Sequence, residues 1–465
     1  MKLYCSTSAF VLAATAAPLL SIVNGEEGGI DSFDSQQQQQ QQYLRRNLLF
    51  GGNSPKVCSD EKNKEWHLKH MKIPEAWNYT DLYGNSTRGE GIVIAQIDTG
   101  YTDHELFEGI FPDGDDAVKG INVRWYADHP RKSNEWLESQ PELYDPRDPL
   151  RHKLTSGSIG FGQGHGTVVA SAAMNRGTTE MKLDSDGNSL EGTAPSGTAP
   201  KANLYSIRVA DNPVLGPLDA ARVRTAFDLI NNDEGHETEL IGEDNVHVIS
   251  ISLGTIDEME NNFQDLEEKM HKAMDEKNAI IVSAGGQMVP MAKDAIWPAR
   301  YKRVIAVGGY QIADIEDGKY ENSTMKWWGK AIDGPSIDIA GPALNVCNGN
   351  VKKRLNGNIV YQYNQNGEGT SLATALLGGV AALWLGHHGR DNLIDIFDVQ
   401  HGFKLQDAFR KVLELTANKE GWDGEYDTSK YGYGMIDAEA IVKLDLDRVV
   451  CELQKKTPCN AGGGE

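Results

Sequence analysis

The 465-residue chain has only five cysteines, and it is short of positive charge, with 45 lysines and arginines against 67 aspartates and glutamates. A formal charge of −22 and a pI near 5.0 argue against nucleic acid or an anionic membrane surface as partner. After residue 23 no stretch reads as long and apolar enough to cross a bilayer, which takes about 20 such residues. A mature form without a membrane span is therefore expected. Also missing is a Gly-x-Ser-x-Gly elbow, the mark of a serine esterase with the order Ser, Asp, His.

The N-terminus carries Lys2, a mostly apolar run from Ala9 to Val23 interrupted by Pro18, and then Val23-Asn-Gly25. This reads as a secretory signal peptide over residues 1–25, cleaved after Gly25. Residues 26–57 are polar, with a glutamine run from Gln36 to Gln42, and cannot bury a core. They are expected to be disordered, with Arg45-Arg46 as a candidate processing site. Cys5 leaves with the signal, and Cys58, Cys347, Cys451 and Cys459 remain. An even number in an oxidising compartment commonly pairs, and three pairings are open. Sequons stand at Asn78, Asn85 and Asn322.

Residues 58–445 read as one domain, followed by a tail over residues 446–465. Apolar, β-branched runs at Ile92–Ile97, Ala202–Val209, His247–Ser252, Ala279–Ser283 and Val304–Val307 predict strands. They alternate with helical stretches such as Ala220–Ile230 and Phe263–Lys277. The fold class expected is α/β in three layers, a mostly parallel central sheet with helices on both faces. Between Asp98 and His165 lies an acidic insert containing Asp145-Pro-Arg-Asp-Pro149, expected as a surface loop.

Three short blocks carry chemistry. Gly367-Glu-Gly-Thr-Ser371-Leu-Ala joins a glycine-rich turn to an apolar helix, where free N–H groups and the helix dipole favour negative charge beside a reacting hydroxyl. A serine there also fits a helix cap. The buried strand Gly91-Ile-Val-Ile-Ala-Gln-Ile-Asp98-Thr-Gly ends on a carboxylate, and Gly162-Gln-Gly-His165-Gly-Thr opens a small-residue helix on a histidine. Asp, His, Ser in that order is one of the known chain orders of a catalytic triad.

Asp-Thr-Gly at Asp98, His-Gly-Thr-x-Val-Ala at His165 and Gly-Thr-Ser-x-Ala at Ser371 together resemble the signature blocks of the subtilisin-like serine proteases. Val248-Ile-Ser-Ile-Ser-Leu-Gly254 resembles their substrate-binding strand, and Ala279-Ile-Ile-Val-Ser-Ala-Gly-Gly-Gln287 the strand that carries their oxyanion-hole amide. The resemblance spans about Trp66 to Leu444. It implies a three-layer subtilisin-like fold and a serine endopeptidase acting on polypeptides, with Ser371 as nucleophile, His165 as base and Asp98 orienting the ring. It further implies an oxyanion donor at Gln287 and substrate contacts at Ser252, Leu253, Gly254, Ala284 and Gly285.

Two residues depart from the family pattern. Ala375 replaces a proline, and Gln287 replaces an asparagine. Members of the family usually have a folded inhibitory propeptide, which residues 26–57 do not resemble. These departures leave a catalytically inactive, peptide-binding homologue as the alternative. No cofactor is needed for the chemistry. A structural calcium ion is suggested by the resemblance alone, and no ligand loop for it is legible. The expected protein is secreted or lies in the vacuolar or lysosomal lumen, and is a monomer.

Overall fold

The computed structural model describes residues 57–59, 63–80, 84, 88–107, 120–123, 145–148, 150, 164–176, 182–183, 189–190, 195–215, 217–233, 246–255, 260–287, 292, 294–313, 323–353 and 358–455. The chain divides into two units, and all described residues belong to the larger, Val57–Arg151 with Gly162–Glu465. Outside the described residues lie the signal peptide, the glutamine run, Arg45-Arg46, the sequons at Asn85 and Asn322, and Cys459.

The strands are β1 (Val93–Asp98), β2 (Gly120–Asn122), β3 (Lys182–Leu183), β4 (Ser189–Leu190), β5 (Asn203–Arg208), β6 (Val248–Ile251), β7 (Ile280–Ala284), β8 (Ile305–Ile312), β9 (Met325–Trp327), β10 (Ile339–Pro342), β11 (Leu344–Lys353) and β12 (Ile359–Glu368). One sheet runs β10-β8-β7-β6-β1-β5-β2, parallel throughout, with β9 antiparallel on β8. The five strands expected from sequence are therefore present as β1, β5, β6, β7 and β8. Two antiparallel hairpins, β3–β4 and β11–β12, stand apart from it.

The larger helices are α1 (His165–Met174), α2 (Pro217–Asn231), α3 (Glu260–Glu276), α4 (Thr370–His388), α5 (Leu405–Thr416) and α6 (Leu446–Leu453). Side chains on a strand alternate between faces, so a strand buried on both sides must be apolar at nearly every position. Ile94, Leu204, Val248, Ile280, Val282 and Ile305 pack in one cluster with residues of α1, α4 and α5. Val93, Ala95, Ile97, Ile207, Ile249 and Ile281 pack in the other with α2 and α3. This is the expected three-layer arrangement. Each such aliphatic side chain contributes about 1.5–3 kcal/mol on burial.

α4 has the length and apolarity of a membrane span, but most of it is buried inside the protein. A helix apolar all round is explained here by its seat in the core. Leu446–Leu453, read from sequence as the start of a tail, is a helix that buries Val449 and Val450 in the same cluster as α5.

Of the three open cysteine pairings, the structure contains Cys58–Cys347, with Cα atoms 5.3 Å apart. Cys451 is also disulfide-bonded. The first bridge ties the start of the domain to β11 across 289 residues of sequence. Cross-linking so distant a pair restricts the unfolded chain, an effect worth about 2–5 kcal/mol. Replacing Cys58 and Cys347 together by alanine should lower the unfolding free energy by that amount, and the thermal midpoint with it. Non-reducing peptide mapping of the native protein should recover the linked pair.

Candidate active site

In open parallel sheets, ligands bind beyond the carboxyl ends of the strands where the strand order reverses direction. Here that point is β1, which has β5 on one side and β6 on the other. Asp98 ends β1, Ser252 follows β6, and Gly285 follows β7, so three of the sequence-selected stretches meet at one edge.

Asp98 is completely buried. Its Oδ1 accepts hydrogen bonds from Thr99 N–H at 2.7 Å and from His165 Nδ1 at 2.7 Å. A carboxylate oxygen only accepts, so Nδ1 carries the proton and Nε2 is left bare. Nε2 lies 3.2 Å from Ser371 Oγ. The single hydroxyl proton of Ser371 faces two acceptors, His165 Nε2 and the carbonyl of Ser252 at 3.1 Å. Ser252 Oγ in turn donates to the carbonyl of Ser371 at 3.0 Å.

Burial disfavours a charged imidazole at His165, but the field of Asp98, its hydrogen bond and the charge of Asp148 outweigh it. The ring's pKa is raised above its usual 6.5. The ring is held by its position at the first residue of α1, after Gly164 at the cap.

Ser371 is the second residue of α4 and does not cap it, because Gly369 holds the cap position and no side chain serves there. Gly369 has φ 139°, which favours glycine, and a Cβ on it would sit 3.0 Å from Gln287 Oε1 and crowd that amide. Gln287 Oε1 accepts from Thr370 N–H at 2.8 Å. That bond fixes which end of the amide is oxygen and leaves Nε2 as a donor beside the first turn of α4. The N–H of Ser371 belongs to the same turn, where no intrahelical acceptor exists. Ala375, at the position of the family's proline, is buried within an unbroken α4.

The expected substrate-contact residues have other partners within the fold. Gly254 donates N–H to Pro213 O at 3.1 Å and accepts from Leu215 N–H at 2.9 Å. Leu253 is buried in the α2–α3 cluster. Gly285 bonds Val307 O through N–H and Ile296 N–H through its carbonyl, and a Cβ there would reach Ile337 Cδ1 at 2.6 Å. Ala284 is buried at the end of β7. Among the described residues no group of three His, Cys, Asp or Glu is arranged to hold a metal ion.

Sequence reasoning passed over Thr99, Thr370 and Gln96. Thr99 Oγ1 accepts from Gly166 N–H at 3.1 Å, Gln96 Nε2 donates to Gly166 O at 2.8 Å, and Thr370 Oγ1 accepts from Gly286 N–H at 3.3 Å. The first two hold the peptide groups next to His165. Gln96 could have been noticed as a lone amide in an otherwise apolar strand.

Removing the Asp98 charge should unmask the burial penalty. In Asp98→Asn the His165 titration, followed by NMR of ring-labelled histidine, should move to lower pH than in the unsubstituted protein. An unchanged midpoint would show that the contact carries no charge interaction.

No curated protein matches the chain. The Subtilase family matches residues 89–434, most of the sequence and all three chemical blocks. With its parallel sheet, flanking helices and this match, the chain belongs to the subtilase family.

Proposed function

We propose that the protein is a serine endopeptidase of the secretory route in which Asp98, His165 and Ser371 form the catalytic triad. The observation that supports this reading is the run of hydrogen bonds from Asp98 Oδ1 through the His165 ring to Ser371 Oγ, at 2.7 and 3.2 Å. Residues 1–25 would direct the chain into the secretory route, and polypeptides would be its substrates.

In this mechanism Ser371 Oγ turns its proton from the Ser252 carbonyl to His165 Nε2 and attacks the scissile carbonyl. His165 holds the proton as imidazolium beside Asp98, then gives it to the departing amine. The acyl group remains on Ser371 Oγ. Water then attacks that ester, again losing its proton to His165, and Ser371 leaves as the hydroxyl. The negative oxygen formed in each attack would be met by Ser371 N–H and Gln287 Nε2, donors that are in place before reaction. The methylene that distinguishes Gln287 from asparagine extends the amide to Thr370 N–H, one residue before the nucleophile.

An extended peptide would add as a strand beside Ser252–Gly254. Since Gly254 is bonded to Pro213 and Leu215, such a substrate would have to displace that segment.

A fluorophosphonate should label Ser371 and abolish cleavage of a casein-like substrate, and Ser371→Ala should be inactive at an unchanged melting temperature. Labelling elsewhere in an active preparation would overturn the assignment. Because His165 must be neutral to act, activity should fall as pH drops through its raised pKa; a maximum near pH 3 would contradict a histidine base.

Gln287→Ala should lower kcat by about 10² to 10³, or 2.7–4 kcal/mol, with KM nearly unchanged. Gln287→Glu keeps an acceptor for Thr370 N–H but loses the donor, and should be at least as impaired. Wild-type kcat in both variants would remove Gln287 from the oxyanion site.

A further inference from the structure

The acidic insert between Asp98 and His165 was expected to be a surface loop, yet part of it turns back into the site. Asp148 N–H donates to Tyr101 O at 2.7 Å, and Arg147 pairs with Tyr101, so residues 145–148 lie alongside the chain that leaves β1. The Asp148 carboxylate is then directed at the turn before α1. Its Oδ1 accepts from Leu150 N–H at 2.8 Å, and its Oδ2 accepts from Gly164 N–H at 3.0 Å, with the Thr99 hydroxyl at 3.5 Å. Thr99 Oγ1 accepts from Gly166 N–H. One carboxylate thus reaches both neighbours of His165, Gly164 directly and Gly166 through Thr99.

Resting on the reading of His165 as the base, we propose that Asp148 is a positioning residue for it, fixing the peptide groups on both sides of the ring and placing a second negative charge behind the Asp98–His165 pair. Among the described residues, the charged groups around the ring are Asp98 at the end of β1 and Asp148 on the returning segment. Behind Asp148 stand Arg208, at the end of β5, and Asp211. From α4 the Ser371 hydroxyl meets the ring, and it also donates to the Ser252 carbonyl after β6. Arg208 bonds Asp211 at 2.7 Å and Thr99 O at 3.2 Å, and its charge acts on Asp148 from behind. The Asp148 charge favours the imidazolium, in the same direction as Asp98 and less strongly. Asp148 touches neither substrate nor reacting atoms and works only through His165.

The two parts of the role separate by substitution in the full-length chain. Asp148→Asn keeps an oxygen acceptor but loses the charge; Asp148→Ala loses both. In Asp148→Asn, the NMR titration of His165 and the acid limb of kcat/KM should both shift to lower pH, because a charge that favours the imidazolium is gone. In Asp148→Ala, kcat should fall by up to about 10²-fold with KM within about twofold, the effect of a misplaced catalytic group. Asp148→Asn should recover most of that loss. An Asp148→Asn titration that coincides with wild type overturns the charge role, and an Asp148→Ala kcat equal to wild type overturns the positioning role. A wild-type protein that cleaves no peptide and takes no fluorophosphonate at Ser371 fails the reading of His165 as base; the titration of Asp148→Asn then decides the present proposal alone.

Discussion

The seat of α4 beneath the sheet is the constraint on which the site depends. Its face towards α1 has to be small: a Cβ on Gly379 would collide with Thr198 Oγ1, and Thr198 Oγ1 itself bonds Leu376 O at 3.2 Å. Close approach lets α4 pack at once on α1 and on the central strands, with every side chain from Leu372 to Leu385 buried. A rigid helix so tightly held carries its first turn to one place. Ser371 is thereby delivered to the ring of His165, which α1 presents from the neighbouring seat.

The second constraint is electrostatic. Asp98 is a fully buried carboxylate, and burying a lone charge costs several kcal/mol unless hydrogen bonds replace its water. Thr99 N–H and His165 Nδ1 both bond one of its oxygens, while Oδ2 has no partner among the described residues. That carboxylate stands directly against the imidazole. A low-dielectric setting strengthens that interaction, and it favours the ring's protonated form at the moment when catalysis by this triad would need it.

The side of the site around Gln287 is assembled by the same kind of contacts around α4. Gln287 leaves β7 after two glycines, and its carbonyl oxygen is anchored on Thr370 N–H. Thr370 Oγ1 receives Gly286 N–H in return, so strand end and helix start are stitched twice. The hairpin β11–β12 feeds Gly369 into that junction, and the Cys58–Cys347 bridge ties β11 to the beginning of the domain.

Much of this was legible from residue pattern, for a physical reason. A strand buried on both faces has to be an apolar run, so β1, β5, β6, β7 and β8 could be read directly, and the glycine turns before His165 and Ser371 mark where chain direction changes. The chemical blocks are local in sequence, and their order sufficed to suggest a triad. Three things required the tertiary structure. A cysteine does not encode its partner, so Cys58–Cys347 emerged only once β11 lay against the start of the domain. An apolar helix looks the same in a core and in a bilayer, and only the surroundings of α4 distinguish the two. Asp148 looked like one acidic loop residue among many, because its importance comes from the return of residues 145–148 to Tyr101, a contact between segments that local propensity does not specify.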